Sequence, residues 1–239
     1  MTPAGPPERA VLVAPARFGD ALRAPAAASA VGRGLEAAGL IPPDLCPLAG
    51  GGAGTIEVLL PALGGETADG FALVEGGGTA IVEAPGHVEA TAAAGAAVVV
   101  LAAADAPPPL LRRLDLAGAR LVVLAGPGGA APAADAPPRG TTVESGARFV
   151  LDALGADARL RAARAVIVGG GRLDESWLKG AVAGELAVRA RQAGVPCHAI
   201  VAENALDRFG ARMLDLQRVL VAATPAEIEA AAASLVDVL

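Results

Sequence analysis

Three glycine-rich stretches each follow a short apolar run: Gly50-Gly51-Gly52-Ala53-Gly54-Thr55, Gly126-Pro127-Gly128-Gly129 and Gly169-Gly170-Gly171-Arg172-Leu173-Asp174. Glycine lets backbone amides approach an anion closely, and a helix opening behind the loop adds the positive end of its dipole. In an open parallel sheet, loops at the carboxyl ends of strands line the ligand crevice. Anion binding is therefore the chemistry to look for.

Sharper motifs narrow the field. The stretch Gly126-Pro127-Gly128-Gly129-Ala130-Ala131 fits G-x-G-x-x-A, with Glu144 lying 18 residues past Gly126 where a ribose-binding acid could stand. That fingerprint needs a helix to open at once, and Pro132, Pro137 and Pro138 oppose one. No G-x-x-x-x-G-K-[ST] occurs, so a P-loop is excluded, and no G-x-S-x-G nucleophile turn is present. His87 and His198 are the two imidazoles, and both read as ordinary loop or strand residues. Cys46 and Cys197 have neither disulfide-framework nor metal-ligand spacing and read as buried small hydrophobes.

The elements that must position these loops follow from periodicity and punctuation. Ala10–Ala14 reads as a buried strand and Ala24–Ala38 as a helix, with Ala27, Val31 and Leu35 along one side and Gly39 as its stop. Leu45–Ala49 is a strand candidate, and Thr55–Leu63 is helical behind the first glycine loop. Thr67–Val74 and Thr79–Ala84 pair as a hairpin across Glu75-Gly76-Gly77-Gly78. Further strands are expected at 96–103, 121–125, 165–168, 197–202 and 219–222, with 165–168 ending at Gly169-Gly170-Gly171. Helices are expected at 145–154, 175–193 and 204–214, and Gly126–Gly140 is a proline-rich loop. Thr224, Pro225 and Glu227 spell a capping box for a last helix.

Strand–helix alternation at both ends, with hairpin texture between, predicts an α/β protein. Its architecture is a discontinuous Rossmann- or flavodoxin-like parallel-sheet domain, residues 1–65 and 126–239, with a smaller inserted α/β domain at 66–125. Hydrophobic residues at 54% and charged residues at 18% place the chain among folded globular proteins. A net charge of −6 with dispersed arginine leaves no footprint for nucleic acid, and 2% aromatic content leaves no base-stacking surface. The longest uncharged run is too short and alanine-rich to span a bilayer, which takes ~20 apolar residues. Met1–Arg9 has no secretory pattern, so a cytoplasmic location is expected.

Longer segments carry a resemblance. Phe149-Val150-Leu151-Asp152-Ala153-Leu154-Gly155, then Val166-Ile167-Val168, then Gly169-Gly170-Gly171-Arg172-Leu173-Asp174 and Gly194-Val195-Pro196 closely resemble type I glycerate kinases, which show Gly-Glu-Gly-Arg-Leu-Asp after a strand. Val11-Leu12-Val13-Ala14-Pro15 with Phe18 and Leu22 is similar to the family's Ala-Pro-Asp-Ser-Phe-Lys-Gly-Ser-Leu opening. Pro47-Leu48-Ala49-Gly50-Gly51-Gly52-Ala53-Gly54-Thr55 is similar to its Pro-Val-Ala-Asp-Gly-Gly-Glu-Gly-Thr, and Gly126-Pro127-Gly128-Gly129 to its Gly-x-Gly-Gly-Ser-Ala-Thr-Asn-Asp. The resemblance covers most of 10–65 and 118–202, in a shortened, divergent form.

It implies transfer of the γ-phosphoryl group of ATP, with Mg²⁺, to a hydroxyl of glycerate or a related small hydroxy acid. On that resemblance Gly51, Gly52, Gly54, Thr55, Gly128, Gly129, Gly169 and Gly171 would line the nucleotide. Arg172 would contact phosphate or carboxylate, and Asp174 would serve as metal ligand or general base. A purely structural alternative stays open: Asp174 as N-cap of a helix from Glu175, with Arg172 paired to a carboxylate. A homo-oligomer stays open as well.

Much of the family's polar set is replaced. Ala16, Gly19 and Ala21 stand for Asp, Lys and Ser; Gly50 and Ala53 for Asp and Glu; Ala130-Ala131-Pro132-Ala133 for Ser-Ala-Thr-Asn. Gly170 stands for Glu, and Ala181 where a Gly-Lys pair would put Lys. Arg17, Asp20, Thr55, Glu57, Arg172, Asp174, Glu175 and Lys179 remain. Each lost charge removes several kcal/mol of transition-state stabilisation. The sequence therefore predicts either an impaired kinase or an inactive relative that binds ligand or a regulatory partner.

Overall fold

The structure, a computed structural model, describes residues 9–68, 70–83, 95–103, 119–127 and 141–239. It is an α/β protein with two sheets, both dominated by parallel pairing. The chain divides into two compact units, each described in turn.

The first unit comprises Met1–Pro47, Asp157–Leu173 and Ala187–Leu239. Its sheet has five strands: β1 (Val11–Pro15), β2 (Asp44–Leu45), β9 (Ala165–Leu173), β10 (Cys197–Asn204) and β11 (Leu216–Val221). Their order is β11-β10-β9-β1-β2, all parallel. Continuous apolar runs such as Val11–Pro15, buried at every residue, are what a strand covered on both faces requires. Against one face lie α1 (Ala24–Ala37) and α8 (Pro225–Ala233), joined through Val31, Leu35, Ile228 and Ala232 to Val13, Ile167 and Ile200. Alanine and glycine on α1 let α8 come close, so a core poor in large side chains still packs tightly.

The predicted capping box is present. The Thr224 hydroxyl accepts from Glu227 N at 3.3 Å, and the Glu227 carboxylate accepts from Thr224 N at 3.0 Å and Ala223 N at 2.9 Å. Those backbone donors hold the Glu227 carboxyl below the usual glutamate range.

The second unit comprises Leu48–Ala156 and Asp174–Leu186. These bounds take in 66–125, expected as the insert, and also 48–65, 126–156 and 174–186, expected in the larger domain. Six strands run in the order β3-β4-β5-β6-β7-β8: Gly65–Ala68, Phe71–Val74, Thr79–Glu83, Val98–Ala102, Arg120–Ala125 and Thr142–Ser145. The first two pairings are antiparallel and the rest parallel. Phe71, Val82, Val99, Leu101, Leu121 and Val123 cluster on one face. The helices α2 (Thr55–Leu63) and α3 (Gly146–Ala153) also belong to this unit.

Several expectations need correction. The strand read as Ala165–Val168 continues through Leu173, because Gly169, Gly170 and Arg172 pair with Ile200, Val201 and Glu203 of β10. The helix read as 175–193 is two helices, α5 (Glu175–Leu178) and α6 (Val182–Ala193). Gly180 turns the chain between them at φ +94°, and a Cβ on Gly184 would land on the Trp177 carbonyl. Glycine at 184 permits that close approach of the two helices. The Leu45–Ala49 strand shrinks to Asp44–Leu45, the expected strand Thr67–Val74 divides into the antiparallel β3 and β4, and β8 and a helix α4 (Ala156–Ala162) were not foreseen. The short helix expected at 204–214 is α7 (Arg208–Met213). Most of the proline-rich 126–140 stretch lies outside the described residues.

Candidate functional site

In the first unit, Gly169, Gly171 and Arg172 sit on the last turns of β9 against the segment that follows β1. A Cβ on Gly169 would stand 2.7 Å from Ile200 O, and one on Gly171 2.8 Å from Gly19 N. Close backbone approach therefore demands glycine at both. Ala16 N donates to Gly169 O at 2.9 Å and Gly171 N donates to Arg17 O at 3.1 Å, tying the β1 loop to this strand end.

Arg172 and Glu203 are register partners across β9 and β10. The Arg172 guanidinium donates from Nη1 to both Glu203 oxygens at 2.7 Å, with the two side chains 54% and 57% exposed. An ion pair this exposed is worth at most ~1 kcal/mol and can open for a competing anion. Arg17 is held likewise, donating to Asp20 at 2.8 Å and to Gly19 O at 2.8 Å.

In the second unit, Gly51, Gly52, Gly54 and Thr55 form the turn into α2. Gly54 is its N-cap residue, at φ +87°. A Cβ on Gly51 would lie 2.5 Å from Gly146 Cα, and one on Gly146 would land on Gly50 O. The loop and the N-terminus of α3 thus touch backbone to backbone. Thr55 is fully buried, and its hydroxyl donates to Gly52 O at 2.6 Å. Ile56 N, at the first turn of α2, donates to the Glu83 carboxylate at 2.7 Å. A helix N-terminus that could attract an anion already faces one supplied by the protein. Replacing Glu83 by alanine should lower stability by about 1 kcal/mol, read as a shift in urea midpoint, because that charge-assisted cap is lost.

Asp174 is the N-cap of α5, accepting from Ser176 N at 2.9 Å. Lys179 donates to Glu175 at 2.8 Å, which raises the lysine pKa above its ordinary value. Gly128 and Gly129 lie outside the described residues. Among the described residues no three His, Cys, Asp or Glu side chains gather as a metal site. Magnesium is commonly held by one or two carboxylates with substrate phosphates and waters, so Asp174 could contribute only alongside a bound phosphate.

Four participants escaped sequence reasoning: Glu83, Ser145, Gly146 and Glu203. Ser145 left a signal, since a serine followed by an amphipathic run predicts an N-cap, and its hydroxyl accepts from Arg148 N at 3.4 Å. Glu83 and Glu203 left none, because their partners lie 27 and 31 residues away.

Two α/β units have parallel-dominated sheets, one with a glycine-rich strand end at 169–171 and the other with a glycine-rich turn into α2. The glycerate kinase family model matches residues 11–106 and 116–237, and the chain belongs to that family. The fold is shared with a crystal structure described as a "putative glycerate kinase 2" from Salmonella typhimurium LT2. It aligns at a TM-score of 0.70 and 15% identity, covering 97% of this chain and 98% of that one. No curated protein matches the sequence. The family generally uses ATP. Among the described residues no helix is long and apolar enough to cross a membrane.

Proposed function

We propose that this chain phosphorylates glycerate or a related small hydroxy acid with ATP, at a rate far below that of a relative carrying the full polar set. In that reaction the substrate hydroxyl oxygen bonds to the γ-phosphorus as its bond to the bridging oxygen of ADP breaks. Asp174 is proposed to receive the hydroxyl proton, and Arg172 to contact phosphate or carboxylate once Glu203 releases it. Mg²⁺, when bound, would offset phosphate charge.

One observation carries the reading. Each cation remaining in the matched motifs is already within 2.8 Å of a carboxylate: Arg17 of Asp20, Arg172 of Glu203 and Lys179 of Glu175. Phosphoryl transfer relies on preorganised charge, and removing one such donor commonly costs about 10²–10³-fold in rate. A second reading, an inactive family member that binds ligand in a regulatory role, is favoured by Glu83 at the α2 N-terminus.

The test is ATP consumption with glycerate and Mg²⁺. Slow turnover is expected, abolished by Asp174→Ala and retained at the same melting temperature by a surface control such as Gln217→Ala. Because Asp174 also caps α5, that variant should lose about 1 kcal/mol of stability, which thermal melting separates from its effect on rate. Glu203→Gln should tighten ATP or glycerate binding a few-fold by leaving Arg172 a neutral neighbour. No turnover with a nucleotide-induced thermal shift would select the second reading. Neither turnover nor shift would sink both.

A further inference from the structure

The second unit contains a cavity of about 700 Å³ that the residues of the glycine-rich loops do not line. At its base Ile81, Val100 and Val122 are register neighbours on β5, β6 and β7, each 5% exposed or less. Two residues earlier on the same strands, Thr79, Val98 and Arg120 form a second row. Phe149 and Ala153 of α3 wall one side. The volume is that of a small-molecule pocket, and the lining is mixed, with the charged Glu75, Arg120, Glu144, Arg148 and Asp152 set around the apolar residues.

The second row has Glu75 at one end and Arg120, with Glu144 beside it, at the other. At one end Glu75 accepts from the Thr79 hydroxyl at 2.8 Å. Glu75 is also one of two non-glycine residues in the left-handed region among those described, at φ +55°. Such a conformation is costly and persists where its surroundings impose it. At the other end Arg120 reaches Glu144 at 3.8 Å, too far for a hydrogen bond, and among the described residues its guanidinium makes none. A guanidinium has five N–H donors arranged to clasp a carboxylate. The ends stand two strand spacings apart, roughly 10 Å.

We infer that this cavity binds an amphiphilic monocarboxylate, its apolar body against the partly exposed Leu63, Val98, Phe149 and Ala153 and its acid group at Arg120. Glu75 repels the acid from the opposite end and so sets the ligand's direction. The inference is independent of the phosphotransfer reading, because it involves none of Arg172, Asp174 or the loop at 50–55.

Calorimetric titration of the full chain with sodium decanoate, below its micelle concentration, tests it. The chain length of decanoate matches the separation of the two ends, whereas butyrate supplies the same acid without the body. One saturable site is expected for decanoate with a dissociation constant below about 1 mM, and none for butyrate. Arg120→Gln should weaken decanoate at least about fivefold. Ala153→Phe, which fills the cavity from the partly exposed end of α3, should remove binding while leaving the melting transition in place. Absence of saturable decanoate binding would overturn the inference. So would equal binding by Arg120→Gln, or tighter binding of decyltrimethylammonium, which carries the opposite charge.

Discussion

Replacing Gly34 by valine should destabilise the protein by about 3 kcal/mol or more, among the largest losses for one surface-distant substitution. On Gly34 even a Cβ would land on the Glu229 carbonyl and stand 2.9 Å from Ala232 Cβ. Those are backbone and first side-chain atoms of α8, so no rotamer change relieves the overlap. The helices α1 and α8 must separate, and the contacts of Val31, Leu35, Ile228 and Ala232 loosen with them. Gly32, half a turn earlier on α1, makes the comparison sharp. A Cβ there meets Leu45 Cδ2 at 3.3 Å, the far end of a side chain that can turn aside. Alanine at 32 should therefore be neutral or stabilising by up to about 1 kcal/mol through helix propensity. Urea denaturation of both variants decides the matter; equal midpoints for Gly32→Ala and Gly34→Val would show that α1 and α8 do not cross as described.

The contrast between those glycines shows what a single sequence discloses. Local chemistry was readable: Thr224, Pro225 and Glu227 announce a helix start because every partner lies within four residues. Buried strands such as Val11–Pro15 and Arg120–Ala125 were readable because apolar runs of that length have few other uses. Glycine was the ambiguous letter. At Gly54 it serves a turn, at Gly169 a close strand neighbour, at Gly184 the close approach to Trp177, and the bare sequence writes all three alike. Reading 169–171 as a loop followed from local propensity, and pairing with β10 overrode it. The candidate site suffered the same limit. Its motifs were visible, yet the carboxylates that neutralise Arg172 and face the α2 N-terminus, Glu203 and Glu83, are long-range partners. They carry no periodicity or spacing of their own.

Stability should fall steadily as pH drops below 6.5, and replacing His198 should remove that fall. His198 is 2% exposed on β10, and neither ring nitrogen has a hydrogen-bond partner. Burial pushes its pKa below the ordinary 6.5, and the positive charge of Arg218, opposite it on β11, pushes the same way. On its other side the histidine has Ile167 of β9 as its register partner, and Ile200 lies two residues further along β10. Above pH 6.5 the imidazole is neutral in both folded and unfolded chains and contributes no pH dependence. Below 6.5 the unfolded chain takes up a proton that the folded chain refuses, so the unfolded state binds more protons and stability decreases with falling pH. The slope approaches about 1.4 kcal/mol per pH unit until the folded-state pKa is reached. Glu227, whose folded pKa is depressed, adds stability above its ordinary 4.5 that is lost only at lower pH, so the two windows are separate. Phenylalanine at 198 removes the titration and also an unsatisfied buried polar ring, which should raise stability by about 1–2 kcal/mol at pH 7. Urea midpoints of wild type and His198→Phe between pH 7.5 and 5 test both parts. Parallel curves for the two proteins would mean that the imidazole finds a partner in solution, and the assignment of His198 as the acid-sensitive group would fall.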